Sequence, residues 1–183
     1  TKILVILAHP DDPEFFMGGT IARWVDKGYS VQYCLLTKGE KGINPGFPEG
    51  EALAALRVDE QRAAAAVLGV ENVQFLDYAD GYLEAGLDKR LALTRVIRRE
   101  KPNVVVSSDP QCYYIADSYL NHPDHRTAGQ IVVDSVFPAA INNAFFPELL
   151  EEGLPAVEIS ELWLSLPQTP NVRLDVDKYW ERR

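Results

Sequence analysis

Three histidines are the whole imidazole content of this 183-residue chain, and all three fall in two short motifs. His9 opens His9-Pro10-Asp11-Asp12, while His122 and His125 bracket Pro123 and Asp124. Imidazole and carboxylate together suit zinc and other borderline divalent ions. A catalytic metal site takes three protein ligands and keeps one position for water. His9, Asp12 and His125 are the candidate ligands. Asp11 and His122 then stand beside the metal without binding it. A metal lowers the pKa of its water toward ~7. Asp11 is the candidate general base, and His122 the candidate for steadying a developing oxyanion or protonating a leaving group. Asp124 is placed to orient one of the imidazoles.

Each motif alone also reads as an ordinary helix start. Asp near a helix N-terminus gains from the dipole, and Pro favours the first helical position. What separates the two readings is whether both motifs reach the same place, and that depends on the elements that carry them. Ile3 to Leu7 is a continuous aliphatic run, the mark of a strand buried on both faces. A helical pattern through Ile21, Trp24 and Val25 follows and stops at Gly28. Val31 to Leu36 is a second strand, and the glycine-rich stretch from Thr37 to Gly50 a long loop. Glu51 to Leu68 is a helix ended by Gly69. Val73 to Leu76 is a short strand. Leu87 to Ile97 lies in a helix closed by Pro102, and Val104 to Val106 is a buried strand. A polar loop from Ser107 to Asn121 leads to a helix from about Asp124 to Phe137, and Glu161 to Leu166 alternates like a late strand.

Strand and helix alternate four times. Short, right-handed connections make that a three-layer α/β, Rossmann-like domain with a mostly parallel sheet. Ligands of such sheets bind beyond the carboxyl ends of the strands. Both histidine motifs are expected there, which favours the metal reading over two unrelated caps.

Other features narrow the class. The length suits one domain, at about 150 residues each. With 46% hydrophobic and 25% charged residues, the chain is neither disordered nor fibrous. A net charge of −9 argues against nucleic acid and anionic lipid as partners. No apolar stretch approaches the ~20 residues of a membrane span, and the first apolar run is too short for a secretory signal. A cytoplasmic setting is the expectation. Two cysteines make no disulfide framework. Cys34 is expected in the core and Cys112 in a loop. Gly18-Gly19 is not a dinucleotide fingerprint, and Thr37 to Gly42 lacks the order of a phosphate-binding loop. Arg57, early in its helix, reads equally as a salt-bridge residue or a ligand contact.

Ala8-His9-Pro10-Asp11-Asp12-Pro13-Glu14 and His122-Pro123-Asp124-His125 resemble the signatures of the LmbE-like (PIG-L) zinc-dependent N-acetylglucosaminyl deacetylases. Arg57-x-x-Glu60, the Thr37-x-Gly39-Glu40 loop and Asp80-Gly81 extend the likeness, which runs from residue 3 to about 135. The resemblance implies a zinc-dependent N-deacetylase acting on an N-acetylated amino sugar. It implies His9, Asp12 and His125 as ligands of Zn2+, with Fe2+ or another divalent metal as the variant. It implies Asp11 as base, His122 steadying the intermediate with Asp124 tuning it, and Arg57 and Asp80 on sugar hydroxyls. The expected partner is a small amino-sugar substrate, with a homo-oligomer left open.

The family usually continues into a last strand and a basic, His- and Ser-bearing helix. Nothing like it follows Val157 to Ser160. Residues 1–183 are therefore expected to form one domain that lacks this segment or carries it diverged. The insert from Tyr113 to Asp117 is the expected seat of specificity. Two other classes compete: a 2-His-1-carboxylate iron oxygenase built on the same triad, and a sugar-binding relative without turnover.

Overall fold

The structure is a computed structural model, and it describes residues 1–42, 45–116 and 118–182. Ile43 and Asn44 of the long loop, Asp117 of the expected specificity insert and Arg183 lie outside the described residues.

Five parallel strands form the main sheet in the order β3-β2-β1-β4-β7. They are β1 (Lys2–Leu7), β2 (Ser30–Thr37), β3 (Asn72–Tyr78), β4 (Val104–Ser108) and β7 (Glu161–Ser165). The late strand thus takes the edge beside β4, with Val106 opposite Trp163. β1 sits at the centre, its Ile3 paired with Val31 on one side and Val104 on the other. Its burial on both faces explains the unbroken aliphatic run. Ile3, Val5 and Leu7 pack under α1 (Asp12–Asp26) and α2 (Gly50–Val67). Leu4, Ile6 and Ala8 pack under α3 (Leu87–Glu100) and α4 (Pro123–Asp134). These are the three layers of the α/β reading.

The chain leaves β1 for β2 on one side and reaches β4 on the other, so strand order reverses between β1 and β4. That reversal opens a crevice beyond their carboxyl ends. The first histidine motif follows β1, and the second starts α4, after β4. Gly129 lets α4 come in close, because a Cβ there would collide with the Ser108 carbonyl at the end of β4.

Within the polar loop after β4 lies a ribbon absent from the sequence reading, β5 (Tyr114–Ile115) paired antiparallel with β6 (Tyr119–Leu120). A short helix, α5 (Glu148–Glu151), follows α4. Cys34 is fully buried, and its thiol is pushed up to about 12 by that burial. Cys112 is buried too, its thiol against the Tyr114 carbonyl. Both are free. Among the described residues no helix is long and apolar enough to cross a membrane.

Candidate metal and catalytic site

The crevice holds a cavity of about 920 Å3, lined by residues of both histidine motifs together with Arg57 and Asp80. All eight residues singled out from the sequence meet at or directly behind this cavity.

The two aspartates after β1 part company. Asp11 is the last residue before α1 and has φ 86°, while its side chain caps no helix N–H. The capping reading therefore does not account for it. That left-handed backbone costs an ordinary residue about 1 kcal/mol or more. It turns Asp11 toward solvent, leaving 71% of its side chain exposed, while Asp12 turns inward with 4% exposed. Asp12 Oδ2 accepts the His9 backbone N–H at 2.9 Å, and its Oδ1 lies 3.0 Å from His125 Nε2.

His9 Nδ1 lies 3.2 Å from His125 Nε2. The partners behind each ring say what those two nitrogens carry. Asn121 donates its amide to the Cys112 carbonyl at 2.7 Å, which leaves its Oδ1 to accept from His125 Nδ1–H at 2.9 Å. His125 Nε2 is then a bare lone pair aimed inward. His9 Nε2 faces Asp124 Oδ2 and Asp80 Oδ1, each at 3.2 Å, so it carries a hydrogen. His9 Nδ1 is then the atom left for a ligand.

Two imidazole nitrogens and a carboxylate oxygen converge from three directions, and these atoms lie within 4.8 Å of one another. Bonds of about 2.0–2.1 Å to a tetrahedral zinc would set two nitrogens about 3.3 Å apart. The observed 3.2 Å fits that spacing. Burial alone would lower the His9 pKa, but Asp124, Asp80 and Asp12 outweigh it and push it up to about 10. The field that favours an extra proton there favours a divalent cation in its place.

The imidazole that Asp124 backs is that of His9. Its Oδ2 lies 3.2 Å from His9 Nε2, and a carboxylate oxygen also comes within 4.8 Å of a His122 ring nitrogen. The carboxylate also accepts the Gly81 and Leu83 N–H groups at 2.7 and 3.2 Å. These bonds outweigh burial and hold its pKa low. Asp80 likewise sits behind His9, and its Oδ2 accepts the Lys41 N–H at 3.0 Å. Burial opposes these bonds, but they hold its carboxyl at about 2.

His122 caps α4 through Nδ1, which accepts the Asp124 N–H at 3.1 Å. Burial and the neighbouring His9 push its pKa down. A neutral ring with Nδ1 so occupied carries its proton on Nε2, as a donor. Asp11 is pushed up by desolvation and by Asp12, against the pull of Arg57. Arg57 donates to the carbonyls of Gly39 and Pro10 and to Asp11 Oδ2, at 2.9, 2.8 and 3.0 Å. Gly39, at φ 67°, leaves the room this guanidinium needs, since a Cβ would strike it.

Sequence reasoning missed Asn121 and Gln61. Asn121 stands four residues before His125, just ahead of α4, and Gln61 one helical turn after Arg57. That spacing of four was the signal available.

Residues 4–136 match the PIG-L family, described as GlcNAc-PI de-N-acetylase. The chain belongs to the PIG-L family. It is 34% identical over 180 residues to a diacetylchitobiose deacetylase of Thermococcus kodakarensis, covering 98% of this chain and 65% of that protein. The N,N'-diacetylchitobiose deacetylase of Pyrococcus horikoshii, solved with its inhibitor MPG, superposes with a TM-score of 0.90 at 34% identity, over 98% of this chain and 66% of that one. GalB, the 4-carboxy-2-hydroxymuconate hydratase of Pseudomonas putida, superposes at 0.80 with 25% identity, over 100% of this chain and 75% of that one. This PIG-L chain thus spans about two thirds of the length of the two deacetylases, and its fold is also that of a hydratase.

Proposed function

We propose that this chain carries the metal centre of a hydrolase that removes the acetyl group from an N-acetylated amino sugar. The observation that carries the reading is the pair of inward-facing nitrogens, His9 Nδ1 and His125 Nε2, 3.2 Å apart, beside Asp12 and with Asp11 on the same cavity. Zinc, or ferrous iron in its stead, would be held by His9, Asp12 and His125. When bound it supplies Lewis-acid polarisation and a lowered water pKa.

The residues supply the rest. Asp11, kept out of the ligand set by its backbone turn, takes the proton of the attacking water. His122, donating through Nε2, steadies the oxyanion that forms at the amide carbonyl. The carbon–nitrogen bond then breaks, and the amine leaves with a proton returned from the site. Acetate and the free amino sugar are the products. Asp80 and Asp124 hold His9 in its working orientation. Arg57 spends three hydrogen bonds on the protein and has five N–H donors, so it retains capacity for a sugar hydroxyl. Asp80 has lone pairs for the same use. The deacetylase relatives named above support the substrate class.

Acetate release from a panel of N-acetylated amino sugars, with and without added zinc, tests this reading. Metal-dependent release that Asp11→Ala abolishes is the expected result. Bound metal without acetate from any member would overturn it in favour of a sugar-binding protein. Oxygen consumption with a co-substrate would overturn it in favour of the iron oxygenase.

A further inference from the structure

We propose that Gln61 is the positioning residue of Asp11, and that Glu14 holds Gln61 in place for that task. The inference rests on the hydrolase reading above.

The Pro10–Asp11 peptide unit is gripped at both of its polar atoms from one helix. The Asp11 N–H donates to Gln61 Oε1 at 2.6 Å. The Pro10 carbonyl accepts from Arg57 Nη2 at 2.8 Å. Arg57 and Gln61 are four residues apart on α2, hence on one face. On the far side of Asp11, its carbonyl accepts the Phe15 N–H at 2.8 Å as α1 begins. With the peptide before it and the helix after it both fixed, Asp11 has no freedom to leave its left-handed backbone, φ 86°. That backbone separates the base from the ligand Asp12.

Gln61 is suited to this by its chemistry as well as its place. It is 2% exposed, in the middle of a helix whose neighbours Glu60 and Arg62 are exposed. Its Nε2 donates to Glu14 Oε2 at 2.9 Å. A carboxylate accepts only, so the amide cannot turn over without setting oxygen against oxygen. Glu14 therefore dictates that Gln61 presents its oxygen to Asp11. The contacts thus run from Glu14 through Gln61 to the proposed base, and neither Glu14 nor Gln61 is among the proposed metal ligands.

The test uses the full chain and the variants Gln61→Leu, Gln61→Glu and Glu14→Gln/Gln61→Glu. Hydrogen exchange of the Asp11 amide reads the contact without turnover. It is expected to be slow in the parent and fast in Gln61→Leu; unchanged exchange overturns the proposal. In acetate release, misplacing the base is expected to lower kcat about 100-fold in Gln61→Leu, with KM within about twofold and zinc content unchanged. A kcat within about twofold of the parent overturns the proposal, and so does a parallel loss of zinc, which would make Gln61 a support of the fold. Gln61→Glu places two carboxylates together and is expected to be impaired. The double variant exchanges donor and acceptor and is expected to recover; a failure to recover removes Glu14 from the scheme. Absence of acetate release from the parent retires the hydrolase reading instead, and the exchange measurement still judges Gln61.

Discussion

His9 Nδ1 and His125 Nε2 face each other at 3.2 Å, and each ring is pinned from behind by different residues: Asp80 and Asp124 on His9, Asn121 on His125. Two ring nitrogens that close share either a proton or a metal cation, and Asp12 stands beside them. Replacing His9, Asp12 or His125 by Ala is expected to abolish tight divalent binding, read as metal content after dialysis. In the parent, added zinc is expected to bind the folded chain and raise Tm. A hundredfold excess over Kd is worth about 2.7 kcal/mol, or several degrees at this size. A parent Tm indifferent to zinc and to chelator would refute the site.

Asn121 holds the His125 ring through Nδ1 and is expected to act on a bound metal through it. Asn121→Ala frees the Nδ1 side of the ring and with it the tautomer. The expected cost is about 10–100-fold in zinc affinity, with all three ligands still present. Isothermal titration measures it. Asp124→Asn, behind His9, is expected to fall in the same range. Unaltered affinity in both would mean that the rings hold their orientation unaided.

Asp11 reaches the cavity beside the proposed ligand Asp12 without a place in the proposed ligand set. Asp11→Asn keeps its shape and removes its basicity. Acetate release is expected to fall by about 10²- to 10⁴-fold while zinc content stays at the parent level. Loss of metal in this variant would instead count Asp11 among the ligands.

The sequence carries the ligand set more openly than it carries the ligands' supports. Residue type and strand–helix alternation were enough to single out His9, Asp12 and His125 as neighbours, and the fold does bring them together. The partner of Asp124 was not legible. How close Asp124 comes to His9 depends on how α4 sits against β1, which residue type does not show. The main strands were legible from their aliphatic runs. The β5–β6 ribbon was not, because two-residue strands leave no period to detect. Asn121 and Gln61 are amides of an ordinary kind, and only the fold shows that one backs the His125 ring and the other grips a peptide.

Glu100, at the end of α3, ties that helix to the start of β1 through Lys2 Nζ at 3.0 Å. Burial alone would raise its carboxyl, but hydrogen bonds from Lys2 and Arg99 outweigh it and hold the carboxyl below its ordinary value of 4.5. The folded state therefore binds this proton less readily than the unfolded chain. The stabilisation is complete above the unfolded value and is lost as pH falls through the lowered, folded one. Glu100→Gln is expected to be less stable than the parent at pH ~7, by no more than about 1 kcal/mol for a pair so near the surface. The gap is expected to close as the pH drops below that ordinary value. Urea unfolding of both proteins from neutral to acid pH measures it, and a gap that stays constant throughout would show that the charge on Glu100 contributes nothing.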